Sequence, residues 1–537
     1  MKKHWAKIIL FAIILLAIGL RFYKLSLVPP SLSWDEASFS YNAYTIANWG
    51  KDEWGRTLPL SFESFGEYKN PVDIYVSVPF IKIFGLNEFA TRTPAALFGV
   101  INVILIYFLA KTLFKNRFLA LFASFFLAIS PYGLQFSRHH HELNIALFFF
   151  LLGLTLFFRA IRKKAWWFPV AIVSFCLSML TYNAAKLVIP LCGIFLAIIY
   201  HKELLKIKKE VLLGLIPLVI LGIIFLSNKN LMGLARFKQT SVKDEEIYNT
   251  FIYKKTHNRR LGRVEIVLKQ YPLHFSYKYL FVSGDKNPRH SIQTVGEFLR
   301  SDLPLLIMGF GYLLYLIIKK KSRESAFLLF WLLIAPLPSA IQSEAPHAAR
   351  SMFILGSWQI LAALGLTALV GLFKNKVVKV LIVLIFLIST GFYFIRYLQD
   401  YYQKYPAKYA VDWQYGMKQV VEYLKKPKDV TDVYMTKERS QPYIFFLYYL
   451  KTPLPQYLAT VKQNEGPTSG VNRISSFGKY HFGGWDIVGS QPSAGIYYVL
   501  TPYEYSDLRN LLMFEVRKIV KYPDGADAFY IVSGKEP

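Results

Sequence analysis

The chain has 537 residues, is 54% hydrophobic and carries a formal charge of +29. Apolar blocks of about 20 residues recur along it, which excludes an ordinary soluble domain and marks a polytopic membrane protein. The basic excess falls in short clusters between those blocks, a topological pattern, so no nucleic-acid partner is expected.

Residues 1–7 are basic and lead into an apolar run over 7–28, which Pro29-Pro30 stops. The run is long enough to cross a hydrocarbon layer, and no small-residue cleavage site follows it. It reads as a retained first span with a cytoplasmic N-terminus. Just beyond it stands Ser33-Trp34-Asp35-Glu36-Ala37, two adjacent carboxylates a few residues outside the membrane. A carboxylate there can accept a proton from a hydroxyl nucleophile or hold a cation. In the first turn of an interfacial helix it also simply complements the helix dipole. Residues 29–94 form a first external loop rich in aromatic residues, among them Tyr41, Trp49, Trp54 and Tyr68. Its apolar block 72–86 carries Asp73 and Lys82 and reads as a helix lying in the interface, because a crossing there would move later basic clusters outside.

Further spans are expected near 95–113, 118–136, 142–160, 167–181, 184–200, 211–227, 304–318, 326–341, 352–373 and 377–395. With the first span this makes about 11 crossings and puts the C-terminus outside. The clusters at 111–117, 159–164, 201–209, 319–323 and 374–379 then share the cytoplasmic side. A long basic external loop covers 228–303. The tail has a helix-like piece at 409–425, β-like runs at 430–435 and 495–500, and a turn at Pro523-Asp524-Gly525. An α/β domain of about 140 residues is expected there. The expected fold class is therefore a polytopic α-helical membrane domain, 1–395, with a small C-terminal extracytoplasmic α/β domain, 396–537. Both cysteines, Cys176 and Cys192, lie inside apolar blocks, which leaves no disulfide framework and no cysteine-based zinc site.

Ionisable residues gather at the external ends of the spans, where burying charge is costly and usually functional. Lys69 precedes Pro71 and Arg92 precedes Pro94; Arg138, His139, His140, His141 and Glu142 precede a span. Arg289 and His290 lie in the long loop, and His347 and Arg350 open another span. Cations so placed suit a lipid-linked phosphate, and Arg suits bidentate contacts to it. Snorkelling to headgroups is the plainer reading of Lys69 or Arg92 taken alone. Three consecutive histidines on a helix point about 100° apart and do not converge on a metal. Glu142 is a second acid on the same side as Asp35, or an acid at a helix start.

In order and spacing these pieces resemble the membrane glycosyltransferases of the GT-C class, specifically glycosyltransferase family 39, the protein O-mannosyltransferase and aminoarabinose-transferase-like family. The pieces are Trp34-Asp35-Glu36 with Tyr41-Asn42-Ala43, Gly50-Lys51-Asp52-Glu53-Trp54-Gly55, Tyr68-Lys69-Asn70-Pro71, and the run Gly85-Leu86-Asn87-Glu88-Phe89-Ala90-Thr91-Arg92-Thr93-Pro94. Ser137-Arg138 with Glu142-Leu143-Asn144, Gly284-Asp285 with Asn287 and Arg289-His290, and His347 with Arg350 complete the set. The resemblance covers roughly 1–395. It implies inverting transfer of one sugar from a polyprenyl-phosphate donor to a protein, glycan or lipid acceptor, on the outer face of the plasma membrane. Asp35 would be the general base or acceptor-positioning acid, with Glu36 beside it. Glu142 stands where many members carry a second Asp. Lys69, Arg92, Arg138, Arg289, His290, His347 and Arg350 would hold the phosphate. A phosphate leaves as a stable anion, so cations matter more than a strong general acid. The resemblance implies no metal and no other cofactor. In the tail, Gly484-Trp485-Asp486 resembles part of the acceptor-reading motif of oligosaccharyltransferases, in three residues only.

Two other functions fit a chain of this composition. A transporter or flippase of a lipid-linked or anionic solute would place charges near mid-membrane and show broken helices or repeats, whereas here charges cluster at one face and no repeat is visible. A non-catalytic assembly subunit would not need Asp35.

Overall fold

The computed structural model describes residues 5–427, 430–464, 474–483, 493 and 495–535. Its first helices are α1 (Trp5–Phe22), α2 (Trp34–Trp49), α3 (Pro71–Phe84), α4 (Glu88–Phe114), α5 (Arg117–Ile129), α6 (Pro131–Ser137) and α7 (Leu143–Arg162). Apolar helices follow at Trp167–Met179, Ala185–Ile199, Lys208–Ser227, Leu303–Ile318, Arg323–Ile334, Ser357–Gly371 and Lys376–Gln399. Each region expected to span therefore contains an apolar helix. Among the described residues six helices are long and apolar enough to cross a membrane, or seven if α5 and α6, bent by 56°, make one span. The protein is a multi-pass membrane protein.

By its contacts the chain divides into two units. One comprises Met1–Tyr23 and Ala95–Tyr401; the other comprises Lys24–Pro94 and Tyr402–Pro537. Residues 24–94 thus fold with the tail and not with the first helix that precedes them in sequence.

The membrane unit has a continuous apolar core running from Ala17 on α1 through Phe150 on α7 to Trp331 and Leu361. Packing is tightest where helix Leu303–Ile318 meets Ser357–Gly371. A Cβ on Gly309 would lie 2.2 Å from the Leu361 carbonyl oxygen, and one on Gly365 would lie 1.9 Å from that of Leu305. Only glycine allows such an approach of two backbones, a common device of membrane helix pairs.

In the loop-and-tail unit, α2 starts at a capping box. Ser33 Oγ accepts from the Glu36 N–H, and Glu36 Oε2 accepts from the Ser33 N–H at 2.9 Å. This satisfies two of the helix's orphan donors and fixes where it begins. Gly50, at φ +66°, ends it in a left-handed turn. Strands β1 (Phe62–Ser64) and β2 (Glu67–Lys69) form a hairpin over Phe65-Gly66, both at positive φ. Asn70 then leads into Pro71 at the first turn of α3, which packs on α2. The tail contributes β3 (Asp432–Thr436), β4 (Lys462–Gln463), β5 (Ile474–Phe477), β6 (Tyr480–Gly483), β7 (Ile496–Leu500), β8 (Phe514–Lys521) and β9 (Asp527–Gly534) in one sheet, ordered β4-β5-β6-β3-β7-β9-β8. β3 runs parallel to both β6 and β7, and the other pairs are antiparallel. Helices Met417–Leu424 and Pro442–Leu450 share an apolar core with Ala37, Phe39 and Tyr41 of α2. The Trp34 N–H donates to Gln414 Oε1 and the Tyr41 hydroxyl to the Thr452 carbonyl, both at 2.9 Å. Gly484-Trp485-Asp486 lies outside the described residues.

Candidate functional site

The loop-and-tail unit holds two acid–cation pairs on neighbouring residues. Asp35 is in the first turn of α2, and Lys69 ends β2. Lys69 Nζ donates to Asp35 Oδ1 at 2.6 Å and lies 4.1 Å from the centre of the Phe39 ring. The lysine side chain is 5% exposed, the aspartate 30%. The carboxylate is therefore the accessible half, and the ammonium is held from beneath by an aromatic face. An acid in this setting can take a proton from an incoming hydroxyl, and the cation can follow negative charge wherever it develops.

Glu36 and Arg92 form the second pair, and both side chains are fully buried. Arg92 Nε donates to Glu36 Oε1 at 2.9 Å, its Nη1 to the carbonyls of Leu25 and Pro29, and its Nη2 to that of Ser31. Glu36 uses its other oxygen in the capping box. Arg92, expected as a phosphate ligand, and Glu36, expected as a catalytic acid, are thus placed in a sealed pair. Their polar atoms tie the 25–31 segment to α2, and neither side chain reaches solvent. The same applies to Arg138 in the membrane unit, which is 1% exposed. It donates to the carbonyls of Leu20, Arg21 and Tyr23 and so closes the C-terminal end of α1.

The membrane unit has its own polar group. Asp285 follows Gly284, whose φ of +69° and crowding by Ser291 and Glu297 both require glycine. Asp285 Oδ1 accepts from the Asn287 N–H at 2.8 Å, and Oδ2 accepts from the Ala348 N–H at 2.6 Å. His290 Nδ1 is 2.9 Å from Oδ2, and His347 Nδ1 is 4.0 Å from it. Burial pushes both imidazoles toward their neutral forms. Burial also opposes the charge on Asp285, but His290 and the backbone N–H groups outweigh it and hold the carboxyl below its ordinary range. Arg350 is largely buried, donates to the Ser343 carbonyl at 2.6 Å and has Glu344 4.0 Å away. Arg289 is half-buried, and its carbonyl accepts from Gln135. Glu142 Oε2 lies 2.8 Å from His141 Nδ1, just before α7. The structure thus joins Asp35 to Lys69 and Glu36 to Arg92 in one unit, and His290 to His347 in the other. Asp285, which bonds His290 and lies 4.0 Å from His347, entered the sequence reading only within the piece Gly284-Asp285 and was given no role there.

Residues 69–225 match the family described as dolichyl-phosphate-mannose-protein mannosyltransferase. An uncharacterized protein of Aquifex aeolicus (strain VF5) is 32% identical over 143 residues, 26% of this chain and 29% of that protein. A protein of Bacillus subtilis (strain 168), named provisionally as the mannosyltransferase YkcB, is 32% identical over 164 residues, 30% of this chain and 22% of that one. The matches thus span 29% and 22% of the lengths of these relatives. Among solved structures, ArnT from Cupriavidus metallidurans bound to undecaprenyl phosphate superposes with a TM-score of 0.61, at 13% identity, over 98% of this chain and 99% of that one. The Archaeoglobus fulgidus oligosaccharyltransferase tethered with an acceptor peptide gives 0.54 at 13% identity, over 100% of this chain and 74% of that one. At such identities the likeness speaks for the fold. Residues 69–225 are thus similar to that family, and the fold is similar to those of ArnT and the oligosaccharyltransferase.

Proposed function

We propose that the protein transfers a single sugar from a polyprenyl-phosphate donor to a protein, glycan or lipid acceptor outside the cytoplasm, with inversion at the anomeric carbon. The observation that carries this reading is the Asp35–Lys69 pair, an accessible carboxylate on a buried, ring-backed ammonium. In the reaction the acceptor oxygen attacks the anomeric carbon, its proton passes to Asp35, and the bond to the phosphate oxygen breaks. Lys69 offsets the charge that grows on the leaving phosphate as the transition state takes oxocarbenium character. Arg350 and Arg289 are further phosphate-binding candidates, and Glu142 a second acid, each resting on the family resemblance. The relatives support the donor class: ArnT was solved with undecaprenyl phosphate, and the matching family is described by a dolichyl-phosphate sugar. Segregation of basic clusters favours about 11 crossings and a cytoplasmic N-terminus, and the resemblance implies the plasma membrane.

The test is transfer of label from a radioactive polyprenyl-phosphate hexose to a membrane acceptor extract by purified protein. Transfer by the wild type that is lost in Asp35→Asn, while donor binding persists, supports the reading. Equal transfer by both moves the chemistry away from Asp35. No transfer by either, with donor crossing reconstituted vesicles, would favour the transporter.

A further inference from the structure

We infer that a groove beside helix Arg259–Gln270 binds one anionic phospholipid of the adjoining leaflet, its phosphate at Arg260 and Arg263 and a chain along Val264, Val267 and Leu268. The groove lies within the membrane unit, has a volume of about 290 Å³ and is completed by Phe237 and Ile341. The helix positions that line it, 260, 263, 264, 267 and 268, are spaced i, i+3, i+4, i+7 and i+8, so they make one helix face. That face is graded along its length. Two guanidinium groups stand at its N-terminal end and aliphatic side chains at the other.

The helix cannot roll to hide this face. Its opposite side packs through Ile266 on Val242 and Ile247, and a Cβ on Gly262 would lie 2.8 Å from Thr250 Oγ1. Val264 and Leu268 are left 50% and 66% exposed, which is costly in water and not among acyl chains. The other charges of the helix are spent locally. Arg259 pairs with Asp244, and Lys269 Nζ lies 2.6 Å from Glu265 Oε1. Arg260 and Arg263 are exposed, and among the described residues no carboxylate pairs with either. Arginines three residues apart on a helix have Cβ atoms about 5–6 Å apart, close enough for both to donate to one phosphate.

The grading also has a direction. Tyr271, immediately after the helix, donates its hydroxyl proton to the Leu333 carbonyl at 2.7 Å, on the apolar helix Arg323–Ile334. The aliphatic end of the face is thereby tied to a membrane helix, and Arg260 stands about 16 Å from that tie along the helix axis. A phospholipid has the same order, chain first and phosphate beyond it. Free phosphate would use only the arginine end, and a neutral lipid would leave both cations unmatched. Basic residues bordering apolar surface at a membrane boundary recognise anionic headgroups by this combination. The inference stands independently of the proposed transfer reaction.

The experiment is native mass spectrometry of the full-length chain, delipidated in detergent and titrated with phosphatidylglycerol or with phosphatidylcholine of the same chains. The wild type should bind its first phosphatidylglycerol at least tenfold more tightly than its first phosphatidylcholine. Arg260→Gln combined with Arg263→Gln should erase that preference, Arg260→Lys with Arg263→Lys should keep part of it, and Arg259→Gln should keep all of it. Glycerol phosphate, a headgroup without chains, should not compete at millimolar concentration. No preference in the wild type overturns the proposal, as does a preference that survives the double glutamine variant. Full competition by glycerol phosphate would make the site one for free phosphate. Tighter binding of undecaprenyl phosphate than of phosphatidylglycerol, lost in the same double variant, would make it a donor site; either result also overturns the proposal.

Discussion

Two acid–cation pairs start from adjacent residues of one helix and end in opposite surroundings. Glu36–Arg92 is sealed, with both side chains at 0% exposure, whereas Asp35 of the Asp35–Lys69 pair is 30% exposed. Consecutive residues on a helix point about 100° apart, so the same turn sends one carboxylate inward and the next outward. A sealed pair is strongly destabilising to break, because the partner left behind is a buried, unpaired charge. The other pair is open on one side only: Lys69 is 5% exposed and still needs a partner, while its carboxylate is available for chemistry. The contrast teaches that neighbouring charges in a motif divide into support and reaction by what surrounds them.

The contrast is sharpest when Asp35 is neutralised. Asp35→Asn keeps an oxygen that can accept from Lys69, so it should lower the melting temperature in detergent less than loss of the sealed pair does, and lower the transfer rate roughly a hundred- to ten-thousand-fold, the range of a positioned acid or base. A fall in melting temperature with transfer intact would reverse the roles of the two pairs. Arg92→Ala should behave oppositely, losing about 3–5 kcal/mol of stability with poor recovery of folded protein. The check is thermal unfolding in micelles, and a normal melting curve would show that the sealed pair supports nothing. Lys69→Met should have an intermediate effect. Removing one charge-assisted hydrogen bond, worth about 1.5–3 kcal/mol, should lower kcat/KM roughly ten- to a hundred-fold with the fold retained.

A separate effect, read only against pH, concerns a third carboxylate of the same unit. Burial and then the neighbouring Asp52 push Glu53 up to about 8 from an ordinary value of 4.5. The folded chain therefore keeps a proton that the unfolded chain releases above pH 4.5. The stabilisation is complete below that pH, declines as pH rises toward 8 and is level above it. Glu53→Gln should remove this slope, so that melting temperatures at pH 5 and pH 8 differ less in the variant than in the wild type. An unaltered slope would assign it to another group.

Some of this was legible beforehand. Ser33-x-x-Glu36 is a capping-box spacing, a local signal that marks Glu36 as structural. Phe65-Gly66 between β1 and β2, and Pro71 after Lys69-Asn70, are local signals that bring the lysine to the end of a hairpin. Arg92 and Arg138 gave no such warning. Each is engaged by backbone carbonyls distant in sequence, such as Leu25 for Arg92 and Leu20 for Arg138, and no motif of side chains encodes a carbonyl. Asp285 and His290 are five residues apart, but His347 reaches them only through the fold.

From the sequence alone came the membrane character, the order of the apolar helices, the charged residues at their ends and the resemblance to family 39. These depend on composition and on interactions within one helix or turn, which a linear pattern records. Tertiary structure decided that the first loop folds with the tail, that Asp35 is open while Glu36 is sealed, and that Asp285 and His290 stand beside His347. Burial and long-range hydrogen bonds set those outcomes, and both depend on which distant segment occupies the space beside each charge.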